Sequence, residues 1–244
     1  TNFDMGYSST DYYSFGAADG ELDYYFFYGD TIADIISQYT ALTGRCPLPQ
    51  LWTLGYHQSR WGYSSQQEVL DLAQNFIDND LPCDVIHMDI DYMDNYKVFT
   101  VDKNRFPDLT ALSDILHQKG IRLVTIIDPG TKVENGYHMY EEGIKNNYFA
   151  QTPDGEVYEN VVWPGDSVFP DYTSSIVRNW WGSQTKFLLD QGISGIWNDM
   201  NEPASFRGPL PDDVVFPGDD MPRQHKEVHN VFGHLMAKAT YEGI

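Results

Sequence analysis

From residue 51 onward the chain repeats one rhythm four times: an apolar run of strand length, polar or acidic residues at its carboxyl end, then a helical stretch. The runs are Leu51 to His57, Asp84 to Asp89, Ile121 to Ile127 and Gly195 to Asp199. Ser65-Gln66-Gln67-Glu68 has capping-box form and opens a face of Val69, Leu72 and Phe76. Asp108 is placed to cap a helix carrying Leu109, Leu112, Ile115 and Leu116, with Gly120 just past its end. Further helices are predicted over about 173–190 and 224–241. Strands that alternate with helices form a parallel sheet with crossover connections. Functional-looking side chains follow each run: His57 with Arg60 and Trp61, Asp89 with Asp91, Asp128, and Asp199. Such residues at the carboxyl ends of parallel strands mark the active face of a TIM barrel. An open doubly wound sheet binds ligands at the same ends. No Gly-x-Gly-x-x-Gly or Walker loop is present, which weakens a nucleotide-binding version.

A complete barrel takes eight units in about 250 residues. Here about 200 residues carry four, so the chain is expected to be an internal piece of a longer protein. Residues 1–44 differ in character. Aromatics, Asp and Gly alternate through Asp11 to Phe15 and Leu22 to Tyr28, predicting short strands, with a helix at about 30–42. Cys46-Pro47-Leu48-Pro49 reads as a linker. Residues 131–172 read as a long connection, Asp154-Gly155 as a hairpin turn, and Gly208 to Gly218 as an irregular loop over a cleft.

Acidic side chains outnumber basic ones 36 to 15, for a net charge of −21. This excludes a nucleic-acid partner, which requires a basic footprint, and an anionic membrane surface. Most of these charges belong to an ordinary solvated surface. Two cysteines, Cys46 and Cys83, give neither a disulfide framework nor a thiolate metal site. Without a leader, a glycosylation sequon or a long apolar run, a cytoplasmic, bacterial origin is the expectation. Of the 17 Tyr and 6 Trp, any that line a cleft offer flat apolar faces with polar edges, suited to a pyranose ring.

The densest chemistry lies at the last run. Trp197-Asn198-Asp199-Met200-Asn201-Glu202-Pro203 follows Gly192 to Ile196, which reads as a buried strand. An ionised carboxylate ends such a strand only where it faces a cleft or a partner, because its burial alone is costly. Glycoside cleavage requires a carboxylate beside the anomeric carbon and a carboxylic acid beside the leaving oxygen. Asp199 is the candidate for the first role.

This motif, with Ala204-Ser205-Phe206 after it, resembles the nucleophile region of glycoside hydrolase family 31. Leu54 to Tyr63 is similar to the family's first-strand segment, and His87 to Asp94 to its second, with Phe106-Pro107-Asp108 downstream. Asp128-Pro129-Gly130 and Val162-Trp163-Pro164-Gly165 also fit. Together the matches run in order over residues from about 20 to 235. The resemblance implies an α/β fold in two parts. Residues 1–44 would be the end of an N-terminal β-sandwich domain with a connecting helix, and 45–244 the first half of a (β/α)8 TIM barrel, with four βα units. It implies retaining hydrolysis of a terminal α-linked glucose, with Asp199 as nucleophile and Asp89 accepting hydrogen bonds from sugar hydroxyls. Ile90, Ile126, Trp163, Trp197 and Met200 would wall the subsite, with Asp128 nearby and Trp61 over it, where many members carry Tyr. The acid/base Asp, with an Arg and a His, would lie on later barrel segments supplied by the remainder of the same polypeptide. No cofactor or metal is implied, the partner is an α-glucoside oligosaccharide, and a homo-oligomer is left open.

Other readings stay beside these. Within the family, Ile90-Asp91-Tyr92 resembles the α-glucosidase version more than the α-xylosidase one. A sugar-binding barrel without catalysis would keep the same recognition residues. Asp89-Ile90-Asp91 on one strand face is compatible with a metal-dependent glycosyltransferase. Glu202 is expected to hold an Asn or Arg partner. His57 and His87 are expected to be core or supporting histidines, and His225, His229 and His234 to lie on a surface helix.

Overall fold

The computed structural model describes residues 2–17 and 19–244. Contacts divide the chain into two units, Thr1–Pro49 and Gln50–Ile244.

In the first unit, β1 (Asn2–Asp4) pairs antiparallel with β2 (Ser14–Gly16), setting Phe3 opposite Phe15. The Asp4 carboxylate accepts from the backbone of Gly6, Tyr7 and Ser8 and so folds the connecting loop. α1 (Ile32–Thr43) begins in a reciprocal capping box of Thr31 and Asp34. The predicted strand at Leu22 to Tyr28 does not form: among the described residues no segment pairs with it in a sheet, and an unpaired run of strand formers gains no ladder.

The second unit is built on a parallel sheet of β3 (His57–Gln58), β4 (Val85–Met88), β5 (Arg122–Ile127) and β9 (Gly195–Asn198), in that order. α2 (Gln66–Asp78) connects β3 to β4, and α3 (Leu109–Gln118) connects β4 to β5. Between β5 and β9 come β6 (Thr131–Lys132), α4 (His138–Asn146), β7 (Glu159–Val162), β8 (Gly165–Val168) and α5 (Ser175–Leu189). β10 (Val215–Phe216), β11 (Arg223–Gln224) and α6 (His225–Gly243) follow β9.

The predicted first strand is mostly a 3-10 turn, Leu51–Leu54, with pairing confined to His57 and Gln58. Its start is set by Asp84, whose carboxylate accepts from Tyr56 N at 2.9 Å. Asp84 N and Val85 N both donate to Tyr56 O, so the ladder begins there. The stretch 131–172 is not a bare connection. β6, β8 and β7 make a three-stranded antiparallel sheet whose β7–β8 hairpin turns on Trp163-Pro164, with Gly165 at φ +101°. The turn at Asp154-Gly155 is present, closed by Gly155 N on Thr152 O.

Register divides the sheet into two faces. Ile86, Met88, Leu123, Thr125 and Ile127 point one way and are fully or almost fully buried. The four apolar ones pack in one core with Val69 and Ala73 of α2, Leu109, Leu112 and Leu116 of α3, Trp181 and Leu188 of α5, and Phe232 and Met236 of α6. Each aliphatic residue so buried contributes about 1.5–3 kcal/mol. At Gly182 the backbones of α5 and α6 approach directly: a Cβ there would lie 2.5 Å from Ala239 O. The other face carries His57, His87, Val124, Ile126 and Trp197. β9 is only half-buried, where a buried strand was expected, because it pairs on one side alone and forms the edge of the sheet. Among the described residues no helix is long and apolar enough to cross a membrane.

Candidate active site

Side chains alternate along strands, and paired positions in a parallel register face the same way. His87 is level with Val124, and Ile126 with Trp197. One step on, Asp89 leaves the end of β4, Asp128 that of β5 and Asp199 that of β9, all on the face of His87, Ile126 and Trp197. Asp199 N donates to Ile127 O at 3.2 Å, which extends the β5–β9 ladder to the acid itself. Three separate strands therefore deliver their acidic ends to one rim.

The three carboxylates differ in surroundings. Asp128 is 8% exposed, and its Oδ1 accepts from no described group. Burial, followed by the charges of Asp199, Asp89 and Glu202, raises its pKa to about 7. Asp89 is also pushed up, chiefly by burial, while the Ile90 N–H on its Oδ1 at 2.7 Å opposes the shift. Asp199 is half-buried. No ion pair among the described residues involves any of the three. A rim of carboxylates without a cation suits a neutral, hydroxyl-rich ligand and a reaction in which positive charge develops.

The expected walls fall into two groups. Ile90 and Ile126 are each 2% exposed and belong to the core cluster. Tyr92 steadies this region by donating to Ile126 O at 2.8 Å. Trp61, Trp163 and Phe206 form an exposed aromatic group, with ring centroids 5.5 Å apart for Trp61–Trp163 and 4.8 Å for Trp163–Phe206. Trp197 packs edge-on against His87 at 6.2 Å. Met200 takes a left-handed backbone, φ +54°, directly after Asp199.

Asp89 and Asp91 do not share a face as the strand reading supposed. Asp89 caps a 3-10 turn over Ile90–Tyr92, which swings Asp91 away to Arg105 Nη1 at 3.4 Å. Among the described residues no group of three or more His, Cys, Asp or Glu is arranged to hold a metal ion. Glu202 is exposed, on the turn that follows Asp199. His57 and His87 face each other at 3.0 Å, Nδ1 to Nε2, beside an open cavity of about 320 Å³ lined with Ser59, Val124, Ile196 and Trp197. Burial and then His57 hold the His87 pKa down. His225 is buried rather than on a surface: its ring meets Leu210 O at 3.1 Å and His229 at 3.2 Å.

A larger cavity of about 400 Å³ lies at the start of α5, away from the rim. Its acids are committed internally, Asp219 to Ser174 Oγ and Ser175 N, and Asp171 to Gly218 N and Thr173.

Sequence reasoning missed the contacts on either side of Asp199. Thr240 of α6 bonds Asn198 Oδ1 at 2.7 Å, and Asn201 lies against Gly233 of the same helix. Phe206 sat in the quoted motif without a role, and its aromatic partner Trp163 lies 43 positions away in sequence, beyond the reach of any local pattern.

Comparison with known proteins places residues 46–244 on the sequence profile of the glycosyl hydrolases family 31 TIM-barrel domain. Alpha-glucosidase 2 of Bacillus thermoamyloliquefaciens is 52% identical over 246 residues, covering 100% of this chain and 31% of that protein. The crystal structure of a DNJ-bound glucosidase II alpha subunit superposes with a TM-score of 0.82 at 39% identity, over 89% of this chain and 24% of that one. A Flavobacterium johnsoniae GH31 dextranase complexed with isomaltotriose gives a TM-score of 0.88 at 29% identity, over 99% of this chain and 30% of that one. The chain thus spans a third or less of the length of these relatives.

Proposed function

We propose that this chain, which belongs to glycosyl hydrolase family 31, carries the nucleophile side of a retaining α-glucosidase acting on terminal α-linked glucose. One observation carries the reading: Asp89, Asp128 and Asp199 leave neighbouring parallel strands on the same face, and none of them forms an ion pair among the described residues. The family's TIM-barrel fold accounts for that placement, since its chemistry sits at the carboxyl ends of the strands. The 52% identity to an alpha-glucosidase supports the substrate class.

In this reading an Asp199 oxygen attacks the anomeric carbon. The glycosidic C–O bond breaks, and the leaving oxygen takes a proton from an acid on the opposite side of the ring. Water, deprotonated by the same residue, then releases the sugar with its α configuration retained. Asp89 binds ring hydroxyls. Asp128 holds a proton up to about pH 7 and shares the sheet face of Asp199, so it meets the sugar from the nucleophile's side and serves recognition, not leaving-group protonation. Trp197, Met200, Ile90 and Ile126 shape the floor, and Trp61 and Trp163 its open edge. The proton donor and the groups that pair with these acids come from parts of the enzyme other than these 244 residues. Residues 1–44 belong, on the same reading, to a preceding β-sandwich.

The test is covalent trapping in the full gene product with a 5-fluoro-α-glucosyl fluoride. A glycosyl adduct on the peptide bearing Asp199, lost in Asp199→Ala, is expected; an adduct on another residue would overturn the assignment. Comparing aryl α-glucoside with aryl α-xyloside separates the glucosidase from the xylosidase reading, and sugar binding without turnover would indicate a recognition barrel.

A further inference from the structure

Asp199 is gripped from behind. The residue before it, Asn198, ends β9 with its side chain on the helix-facing side of the sheet, and Thr240 Oγ meets Asn198 Oδ1 at 2.7 Å. Thr240 is 3% exposed, and its hydroxyl has one other acceptor within reach, Met236 O at 3.2 Å. Two residues after Asp199, the backbone of Asn201 lies so close to α6 that a Cβ on Gly233 would sit 2.8 Å from Asn201 O. Asn201 Nδ2 also lies 3.5 Å from Gly233 O. The two anchors are two turns apart on one helix. Between them Met200 reverses the chain in the left-handed region at φ +54°, a conformation that a non-glycine residue holds only under constraint.

α6 is a firm support for this. Gly182 of α5 and Gly243 of α6 touch backbone to backbone, and Thr185 Oγ donates to Gly182 O and lies 3.2 Å from Gly243 O. Phe232 packs against Tyr172 and Phe216 at 5.1 and 5.8 Å. Glycine in mid-helix is unfavourable by propensity. At 233 the close approach of the Asn201 backbone requires it.

We propose that Thr240, together with Gly233, is a positioning residue for the nucleophile: α6 fixes Asn198 and Asn201, and thereby aims the Asp199 carboxylate. This rests on the reading of Asp199 given above. A carboxylate displaced by a fraction of an ångström from its line of attack still binds sugar but reacts more slowly. The effect therefore falls on kcat and leaves KM unchanged.

The experiment compares Thr240→Val, Thr240→Ser and Asp199→Ala in the full gene product, measuring kcat and KM on an aryl α-glucoside. Thr240→Val is expected to lower kcat on the order of 10- to 100-fold at unchanged KM, with Thr240→Ser restoring it. A valine enzyme with wild-type kcat and only a lower Tm would overturn the proposal. Should Asp199→Ala retain turnover, the nucleophile assignment fails instead. Amide hydrogen exchange at residues 198–202 then decides the role of Thr240 on its own: faster exchange in the valine variant supports it, and exchange equal to wild type overturns it. Gly233→Ala gives a second variant, expected to lower kcat although alanine is the better helix former.

Discussion

Asp128 shows how one residue's surroundings set a property that the whole molecule then reports. Its pKa is raised to about 7 by burial first and then by Asp199, Asp89 and Glu202. An acid whose folded pKa exceeds its unfolded one binds more protons in the native state. Stability is then fully present below pH 4, falls as pH rises, and is lost through pH 7. Asp128→Asn is expected to remove that loss and to raise stability at pH 8 by on the order of 2–4 kcal/mol. Thermal melts of both proteins from pH 4 to 8 check this, and parallel curves would refute it. Asp91 tests a different environment. Gly62, at φ +76°, leaves room for its carboxylate, which a Cβ would approach at 2.8 Å. Gly62→Ala is expected to cost about 1–3 kcal/mol in chemical denaturation, from backbone strain and from displacement of Asp91 off Arg105. At this scale the strand-end acids were legible in the sequence, because an acid closing an apolar run has few reasons to be there. The parting of Asp89 from Asp91 was not. It depends on a 3-10 turn and on an arginine 14 positions on.

All the helices but α4 announced themselves in the sequence; α4 starts after Tyr137 without a side-chain cap and was read as part of a long connection. Asp108 accepts from Ala111 N at 2.9 Å, and Gly120 follows the end of α3 at φ +79°. Asp108→Ala is expected to lower stability by about 0.5–2 kcal/mol in urea titration, while Glu21→Ala, exposed and outside any element, leaves the midpoint unchanged. At α2 only half of the predicted capping box forms. Ser65 accepts from Glu68 N, whereas the Glu68 carboxylate turns to Ser64 N and Oγ instead of closing on the cap. The elements that were misread are those whose partners are distant. β3 shrinks to two residues because Asp84, 28 positions away, takes the Tyr56 N–H. The β6–β8–β7 sheet hid among turn-forming residues because short antiparallel strands lack a long periodic signal. α6 was visible as a helix, but its grip on Asn198 was not: a hydroxyl–amide pair 42 residues apart leaves no pattern in the sequence.

Taken as a whole, the second unit is a sheet with one face sealed under four helices and the other carrying a rim of acids. The parallel order, the helix-facing core and the family all followed from the alternation of runs and from the motif around Asp199. On the proposed function, the groups that face these acids across the rim belong to other parts of the enzyme. This suggests a test at the same scale. The 244-residue chain alone is expected to fold yet release no 4-nitrophenol from 4-nitrophenyl α-glucoside, whereas the full gene product turns over. Wild-type-like rates from the short chain would contradict the proposed division of labour.

The contact between Thr240 and Asn198 also has a meaning in time. A polypeptide leaves the ribosome from its amino end at about 5–20 residues per second, so the partner 42 residues downstream emerges roughly 2–8 s after Asn198. During that interval β9 can join β5, and Gly233 reaches Asn201 before Thr240 reaches Asn198. Asn198 is therefore tied to α6 only after β9 has joined the sheet, and a nascent chain halted before Thr240 presents a paired strand whose end still lacks that contact.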